Sequence, residues 1–177
     1  MILAAGASSR MGRPKALLEY HGETFVGRLV RLFRVYCEDV LVVTSSPTPV
    51  DGARAVVNPM PEFGMLSSLQ CGFRALVPGA RAVVFTPVDV PTIQESTVAG
   101  VVLPWTGEML RIPRHRGRRG HPVLVSSALI GEFLDLPPTA EARTVVRRHE
   151  ADIVYVDVDD SGILMDVDTP ADYERLQ

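Results

Sequence analysis

The sequence predicts an α/β fold in which helices cover a mainly parallel sheet. Short apolar segments alternate with helical patterns through roughly the first hundred residues, and right-handed crossovers between successive strands make such a sheet parallel. Continuous β-branched segments such as Val40–Thr44 are typical of strands that are buried on both faces. Short strands in the second half of the chain indicate an antiparallel addition to the sheet. The length of 177 residues fits a single domain, 1–177.

The individual elements follow from the spacing of apolar residues and from signals at their ends. The clearest helix is Glu23–Cys37, in which Leu29 and Phe33 share an apolar face opposite Arg31. Proline fits the first turn of a helix, so Pro170 favours the start of the last one. The predicted strands are Met1–Ala4, Val40–Thr44, Ala53–Val57, Arg81–Thr86, Met109–Ile112, Pro122–Val125 and Ile153–Val158. The predicted helices are Glu23–Cys37, Ser67–Leu76, 92–105, Ser127–Leu136, Ala140–His149 and Pro170–Leu176, with a break at Pro137–Pro138.

Residues 92–105 fit two patterns. Val98–Leu103 has the composition of a strand, whereas Thr92 followed by Glu95 has the spacing of a capping box that begins a helix. Because the apolar residues also recur at helical spacing, we favour the helix.

Composition and charge argue against several classes of protein. Eighteen basic against 21 acidic residues give a net charge of −3, whereas nucleic-acid binders are normally basic, so we expect no nucleic-acid partner. Cys37 and Cys71 form no CxxC pair, which argues against a disulfide scaffold or a cysteine zinc site. No apolar segment approaches the roughly 18–20 residues that span a bilayer, and the first residues do not resemble a signal peptide. We therefore expect a soluble, cytoplasmic protein with no membrane partner.

The loop after the first strand has the composition of a phosphate-binding site. Small residues let backbone N–H groups approach an anion closely, and two cations, Arg10 and Lys15, follow them. Lys15 is the only lysine in the sequence. The spacing matches neither the P-loop nor the dinucleotide fingerprint, and a glycine-containing turn with surface arginines explains the composition as well. The candidate nucleotide-binding residues are Leu3, Ala4, Ala5, Gly6, Ala7, Ser8, Ser9, Arg10 and Lys15.

A second candidate loop follows the strand predicted at Ala53–Val57. Gly64 frees the backbone just before a helix, and Ser67 and Ser68 would lie in the first turn of that helix. Unpaired N–H groups there favour an anion or the polar edge of a base. Ordinary helix capping by serine is the simpler explanation from the residues alone.

Three aspartates are candidate metal ligands. Asp89 follows a strand of core composition and would lie at the carboxyl edge of the sheet. Mg²⁺ prefers one or two carboxylates beside phosphate oxygens and water. Asp166 and Asp168 are two residues apart and would point the same way in an extended segment, with Asp168 preferred and Asp166 as the fallback. A turn or a cap is the commoner role for an aspartate at a strand end. Asp157, Asp159 and Asp160 are assigned to a solvated face, and Asp172 to the N-terminal charge of the last helix.

Five arginines form a charged cluster: Arg111, Arg114, Arg116, Arg118 and Arg119. A nucleic-acid patch is disfavoured, because the net charge is acidic and no aromatic residues interleave. A binding site for the phosphate group of a small substrate explains the cluster better. Gly117 and Gly120 would allow a tight loop near the ligand. His121 is explained equally well by a substrate contact and by a structural position at the start of a strand.

These segments resemble nucleotidyltransferases, and most of all the molybdenum cofactor cytidylyltransferases of the molybdopterin nucleotidyltransferase superfamily. The LAAGASSRMGRPK segment at Leu3–Lys15 is similar to the family's LAAGxSxRMGxxK signature. Asn58–Leu69 resembles NPxxxxGMxxSL, Gly117–Val123 resembles GRRGHPV, and Asp166–Tyr173 resembles DxDTPxDY. Asp89 matches the aspartate of xxDxP, although valine precedes it where glycine is usual.

The resemblance implies a Rossmann-like three-layer α/β/α sandwich with a mostly parallel mixed sheet, of the nucleotide-diphospho-sugar transferase type. It implies transfer of CMP from CTP to the phosphate of molybdenum-loaded molybdopterin (Mo-molybdopterin), with release of pyrophosphate. The reaction would depend on Mg²⁺, with Mn²⁺ as the alternative ion. CTP is favoured because Leu-Ala-Ala-Gly ends the first strand, where guanylyltransferases usually carry Gly-Gly. A molybdoenzyme or its chaperone is a further expected partner.

The resemblance also implies roles for individual residues. Arg10, Lys15 and Asp89 would be catalytic, with Arg10 and Lys15 on the triphosphate, and Asp89 and Asp168 would bind the metal. The second loop would contribute Asn58, Gly64, Ser67 and Ser68 to nucleotide binding. The acceptor would be bound by Arg118, Arg119, Gly120 and His121.

Two alternatives stay open. A guanylyltransferase, or another nucleotidyltransferase that uses a phosphate acceptor, would share these features. A non-catalytic nucleotide- or cofactor-binding chaperone for a molybdoenzyme is the alternative from a different class. The intact Lys15, Asp89 and Asp168 argue against lost catalysis.

Overall fold

In the computed structural model, which describes residues 1–137 and 139–176, strands and helices alternate as the sequence predicts. The strands are β1 (Ile2–Ala4), β2 (Glu19–Tyr20), β3 (Glu23–Thr24), β4 (Leu41–Thr44), β5 (Arg54–Val57), β6 (Ala82–Pro87), β7 (Leu110–His115), β8 (Arg118–Arg119), β9 (Val123–Ser126) and β10 (Ile153–Asp157). The helices are α1 (Phe25–Arg34), α2 (Met65–Arg74), α3 (Glu95–Val102), α4 (Ile130–Asp135), α5 (Arg143–Arg148) and α6 (Pro170–Glu174).

The sheet has a parallel half and a mixed half. β5, β4, β1 and β6 run parallel to one another. β9 lies antiparallel between β6 and β7, β10 pairs parallel with β7, and the short β8 folds back on β7. Across the described residues, eight strands form one sheet in the order β5-β4-β1-β6-β9-β7-β10, with β8 beside β7. The predicted parallel sheet with an antiparallel addition is confirmed, and β1 ends beside the carboxyl ends of β4 and β6.

Side chains of the central strands alternate between hydrophobic clusters on the two faces of the sheet. Ile2 belongs to the core that contains Phe25 of α1, whereas Leu3 belongs to the core that contains Leu69 and Phe73 of α2. α3 and α6 contribute to the first core, and α4 and α5 to the second. Burial of each large apolar side chain contributes roughly 1.5–3 kcal/mol. These layers form the predicted three-layer α/β/α sandwich.

A short hairpin precedes α1, so the helix begins later than predicted. β2 and β3 pair antiparallel around His21 and Gly22, whose φ angles of 52° and 78° suit a tight two-residue turn. Thr24 then caps α1, since its hydroxyl accepts a hydrogen bond from the backbone N–H of Gly27 at 3.1 Å. Strands of two residues carry no periodic signal, and the helix was therefore predicted from Glu23.

The helix predicted within 92–105 is confirmed as α3, but its predicted capping box is wrong. α3 begins after Gln94, whose backbone N–H donates to a carboxylate oxygen of Asp160 at 2.9 Å. The Thr92 hydroxyl instead donates to the carbonyl oxygen of Gly162 at 3.1 Å. Asp160 is only 2% exposed, so its assignment to a solvated face is also wrong. A contact distant in sequence replaces the local cap.

The later helices are shorter than predicted. Ser127–Leu129 forms a 3₁₀ turn before α4, and α5 begins only at Arg143. Pro138, part of the predicted break between them, lies outside the described residues. α6 begins with Pro170 in its first turn, as predicted. None of the described helices is both long and apolar enough to cross a bilayer.

Candidate active site

A cleft of about 690 Å³ opens at the carboxyl ends of the parallel strands. The loops after β1, β4, β5 and β6 form its walls, together with the segment before α6. Ligands of open α/β sheets bind beyond the carboxyl ends of the strands, so this cleft is the candidate active site. Of the residues singled out in the sequence, the cleft is lined by Leu3, Ala4, Ala5, Gly6, Ala7, Ser8, Ser9, Arg10, Lys15, Gly64, Ser68, Asp89 and Asp168.

The loop after β1 turns sharply at Ser8. This residue has a φ of 51°, and its carbonyl oxygen accepts hydrogen bonds from the backbone N–H groups of Met11 and Gly12. Its hydroxyl accepts from the backbone N–H of Lys15 at 3.2 Å, which fixes the position of the lysine. A Cβ atom on Gly6 would meet nothing within 4 Å. The backbone at Gly6 therefore faces open space, where a ligand can approach it.

The ammonium group of Lys15 bridges the two candidate metal ligands. Its Nζ donates to Oδ1 of Asp168 at 2.5 Å and to Oδ2 of Asp89 at 2.9 Å. Only 12% of the lysine side chain is exposed, and burial alone would lower its pKa. The hydrogen bonds to Asp168 and Asp89 outweigh burial and raise the pKa of Lys15 above its ordinary value. Lys15 is therefore charged at neutral pH.

Asp168 has three neighbours that fix its position and charge. Its carboxylate accepts from Lys15 and pairs with Arg10 at 2.9 Å, and its backbone N–H donates to Asp172 at 3.2 Å. The hydrogen bond from Lys15 is the main reason that the pKa of Asp168 lies below its usual range. The Arg10 side chain is 69% exposed, so it can exchange this carboxylate for a phosphate at little cost. Asp172 also forms a capping box with Thr169 at the start of α6.

The chemistry of Asp89 and Asp168 suits a divalent cation. Both carboxylates direct an oxygen at the same ammonium nitrogen, so a single cation can contact both of them. The carboxyl group of Asp166 is near enough to feel the charges of Asp89 and Asp168. Its pKa is raised by burial and by these two charges. Within residues 1–137 and 139–176, no group of three or more His, Cys, Asp or Glu side chains has the geometry of a metal site. Phosphate oxygens and water would complete the coordination shell.

Asn58 and Ser67 are buried and do not line the cleft. Asn58 is 2% exposed, and its amide donates to the hydroxyls of Ser67 and Ser68 at 2.9 and 3.1 Å. The Ser67 hydroxyl in turn donates to the carbonyl oxygen of Gly64 at 2.8 Å. Ser68 and Gly64 do line the cleft. The hydrogen bonds of Asn58 therefore fix the conformation of the loop after β5. Ser68 and Gly64 are the residues of this set that can contact a ligand in the cleft.

The arginine cluster contributes no residue to the lining of the cleft. Three of its members form ion pairs with acidic residues: Arg111 with Glu108, Arg114 with Asp157 and Arg119 with Glu150. Arg111 is buried, whereas Arg114 and Arg119 also lie over the ring of Tyr155. Arg118 is exposed at the hairpin of β7 and β8, a hairpin that the sequence did not predict.

Gly120 and His121 pack against the segment that leads to Asp168. A Cβ atom on Gly120 would lie 2.3 Å from the carbonyl oxygen of Ile163, and the backbone N–H of His121 donates to that oxygen at 3.2 Å. Nδ1 of His121 is buried and has no hydrogen-bond partner among the described residues. Burial lowers the pKa of His121 to about 4, so the ring is neutral at pH 7. Gly120 thus permits a close backbone approach at this point of the fold.

The cleft also contains residues that the sequence did not single out. Arg13 lines it, with its guanidinium 5.1 Å from the centre of the Tyr173 ring. Ser45, which directly follows β4, also lines the cleft. The position of Ser45 could have been predicted from the sequence, because it directly follows a predicted strand and successive strands of a parallel sheet end at the same edge. Arg13 carried no signal beyond its place in the first loop.

The sequence matches a known family over most of its length. The profile of the MobA-like NTP transferase domain matches residues 1–153. The molybdenum cofactor cytidylyltransferase of Escherichia coli (strain K12) is 25% identical over 98% of this chain and 92% of that protein. A probable molybdenum cofactor guanylyltransferase of Opitutus terrae is 33% identical over 64% of this chain. The matched region spans 54%, about half, of that second relative.

Solved structures share the fold. Rv0371c from Mycobacterium tuberculosis H37Rv has a TM-score of 0.83 at 25% identity, over 99% of this chain and 95% of that chain. A complex of Rv0371c with manganese has a TM-score of 0.75 at 23% identity, over the same shares of the two chains. These similarities confirm the predicted fold class, a Rossmann-like sandwich of the nucleotide-diphospho-sugar transferase type.

Proposed function

Because the chain belongs to the MobA-like NTP transferase domain family and is a nucleotidyltransferase, we propose that it transfers CMP from CTP to the phosphate of Mo-molybdopterin. Pyrophosphate is the second product. The observation that carries the proposal is the ammonium group of Lys15, which joins Asp89 and Asp168 on the lining of one cleft. Cations and paired carboxylates are the groups that a nucleoside triphosphate and its metal ion require.

Asp89 and Asp168 would hold the divalent cation, with Mg²⁺ as the proposed ion and Mn²⁺ as the alternative. Both side chains already contact one positive charge, the Lys15 ammonium, and carboxylate oxygens are ligands that both ions accept. When bound, such an ion neutralises charge that develops on the triphosphate. The manganese complex of Rv0371c is the reason to test Mn²⁺ beside Mg²⁺.

The residues of the chain orient the reactants and neutralise their charge. Lys15 and Arg10 exchange carboxylate contacts for oxygens of the β- and γ-phosphates, which depart as pyrophosphate. The small residues of the first loop let the backbone contact the nucleotide. An oxygen of the acceptor phosphate attacks the α-phosphorus in line, and the bond between the α-phosphorus and the bridging oxygen breaks. The acceptor phosphate is ionised at neutral pH, so the step needs no general base.

The acceptor is proposed to bind on the side of the β7–β8 hairpin and of Gly120 and His121. Arg118 is exposed there, and Arg119 can exchange Glu150 for a phosphate, because its ion pair lies at the surface. The neutral imidazole of His121 has a buried Nδ1 with no partner among the described residues. This nitrogen is out of reach of a substrate, so the half-buried ring would contact the acceptor through its exposed edge.

CTP is the proposed donor, and GTP is the second candidate. Leu3–Gly6 reads Leu-Ala-Ala-Gly, which resembles the cytidylyltransferases, and the cytidylyltransferase of Escherichia coli is one of the relatives that match nearly the whole chain. GTP stays a candidate because guanylyltransferases match as well, that of Opitutus terrae at 33% identity and a probable one of Mycobacterium ulcerans at 28% over 97% of this chain.

Pyrophosphate release in the presence of Mg²⁺ and Mo-molybdopterin tests the proposal, with CTP, GTP, ATP and UTP compared. We expect release with CTP only, and only when the acceptor is present. Release with GTP instead would change the donor to that of a guanylyltransferase. No release with any nucleotide, using an acceptor that a control enzyme accepts, would contradict the proposed acceptor. A Mg²⁺-dependent melting shift with CTP would then identify a chain that binds the nucleotide without this reaction.

A further inference from the structure

Asp160 joins two segments that are far apart in sequence and that both lead to the cleft. Its side chain is 2% exposed. Oδ2 accepts hydrogen bonds from the backbone N–H of Gln94 at 2.9 Å and from the hydroxyl of Thr97 at 2.7 Å. Oδ1 accepts from the backbone N–H of Gly162 at 2.9 Å. Three donors thus satisfy a buried carboxylate that would otherwise be strongly destabilising.

The same two segments are joined a second time at the cleft. The backbone N–H of Val167 donates to the carbonyl oxygen of Asp89 at 2.8 Å. Segments 89–94 and 160–168 are therefore tied at both ends, by Asp160 at one end and by Val167 at the other. Each segment carries one of the two proposed metal ligands. The two ties together fix the separation of those ligands.

Two glycines let segment 160–168 pack closely against its neighbours on two sides. A Cβ atom on Gly162 would lie 2.6 Å from the carbonyl oxygen of Thr92, on the α3 side. A Cβ atom on Gly120 would lie 2.3 Å from the carbonyl oxygen of Ile163, on the β9 side. Backbone contacts this close leave the segment no room to shift while the tie at Asp160 is intact.

We propose that Asp160 is a positioning residue, which holds segment 160–168 in the register that brings Asp168 and Asp89 onto one cation. Asp160 acts through this segment and does not line the cleft. The inference rests on the proposed function, because it takes Asp89 and Asp168 as the metal ligands. Asparagine at this position has nearly the same size, but its NH₂ group faces donors, so a buried donor loses its acceptor.

Binding of Mn²⁺ in the presence of CTP and without acceptor tests the proposal, with free Mn²⁺ measured by EPR against the same Mn²⁺–CTP mixture without protein. For Asp160→Asn we expect a fall in Mn²⁺ affinity of about tenfold, the scale on which groups that orient metal ligands act. Thr97→Val removes one of the three donors and keeps the carboxylate. It is expected to fold even if Asp160→Asn does not, and to lower the affinity by a smaller factor than Asp160→Asn.

Arg111→Met is the matched control for lost stability. Arg111 is also a buried charged residue with several hydrogen bonds, to Glu108 and to the carbonyl oxygens of Gly100 and Val101. It lies near the start of β7, which runs in the same direction as β6, so it is at the opposite end of the strands from the cleft. The melting temperature of the Arg111→Met variant should fall, while the Mn²⁺ affinity of this variant stays at the wild-type value.

The outcomes separate the inference from the proposed function. Weaker Mn²⁺ binding in Asp160→Asn and Thr97→Val, but not in Arg111→Met, supports the positioning role. Wild-type affinity in the folded Asp160 or Thr97 variants, with melting temperatures lowered as in the control, overturns that role alone. If the wild-type protein fails to bind Mn²⁺ both in the presence of CTP and in the presence of GTP, the proposed function is overturned. The positioning role is then overturned with it.

Discussion

The ammonium nitrogen of Lys15 lies 2.5 Å from a carboxylate oxygen of Asp168, although 153 positions separate the two residues in sequence. Asp89 supplies the second contact of the same nitrogen. The loop after β1, the end of β6 and the segment before α6 therefore meet at one positive charge. Nucleotidyl transfer depends mainly on position and electrostatics, so this cluster decides whether the cleft can catalyse the reaction.

Lys15→Ala is expected to lower kcat for pyrophosphate release by about 10²–10³-fold, the loss found when one preorganised group that stabilises transition-state charge is removed. Lys15→Arg should recover only part of the activity, because a planar guanidinium does not replace a compact ammonium group. Arg147→Ala removes an exposed charge on α5 and should leave the rate unchanged. Full turnover by Lys15→Ala would remove that residue from the mechanism.

Asp168→Asn should raise the Mg²⁺ concentration needed for half-maximal activity by about tenfold or more, because the cation loses a charged ligand. The measurement is a Mg²⁺ titration of the rate at saturating CTP and acceptor. Asp159→Asn is the matched control, since the Asp159 side chain is fully exposed, at 103% of the reference area. Equal Mg²⁺ dependence in the two variants would exclude Asp168 as a metal ligand.

Arg118→Ala should raise KM for the acceptor about tenfold and leave KM for CTP unchanged, because a hydrogen bond to a charged group contributes about 1.5–3 kcal/mol. Arg116→Ala, in the same exposed hairpin, is the control and should change neither constant. Steady-state kinetics with each substrate varied in turn give both values. Parallel changes in the two KM values would contradict an acceptor-specific role for Arg118.

Gly120→Ala should destabilise the fold by about 1–3 kcal/mol, because the new methyl group would overlap the carbonyl oxygen of Ile163. Gly131→Ala is the opposite case, since Gly131 lies in α4 and a Cβ atom there would meet nothing within 4 Å. That substitution should stabilise the protein by about 0.5–1 kcal/mol. Denaturant unfolding measures both effects, and equal stabilities of the two variants would show that the close approach at Gly120 is absent.

His149 gives a pH dependence to stability. Its Nε2 lies 2.7 Å from Glu132, and this hydrogen bond is the main cause of a raised pKa for His149. A group whose pKa is higher in the folded state stabilises fully below its unfolded pKa, about 6.5, and that contribution disappears as pH rises through the folded pKa. At about pH 5–6 the free energy of unfolding of the wild type should therefore exceed that of His149→Gln, by less than about 1 kcal/mol. The difference should shrink toward about pH 9, and a difference that grows with pH would contradict the assignment.

The layers of the fold could be predicted because β4 and β6 are continuous apolar segments and α1 carries an apolar pattern of helical period. Strands of two residues, as in β2, β3 and β8, show no period and depend on pairing within the folded chain. The capping box predicted at Thr92 failed for a related reason. The competing partner for the start of α3 is Asp160, which lies far away in sequence.

The candidate site could be predicted in its composition but not in its contacts. Motif resemblance singled out Lys15, Asp89 and Asp168, yet nothing in the sequence states that one ammonium group bridges both carboxylates. The buried state of Asp160 depends on donors from α3 and could not be predicted from an acidic stretch that suggested a solvated face.

The most direct test of nucleotidyl transfer follows the phosphorus atoms of CTP. With CTP labelled at the α-phosphate, Mg²⁺ and Mo-molybdopterin, we predict that the label enters the acceptor as its cytosine dinucleotide. With CTP labelled at the γ-phosphate, the label should appear in pyrophosphate, in equal molar amount. Label from the γ-phosphate on the acceptor, or α-label released only as CMP in the presence of a competent acceptor, would contradict the account.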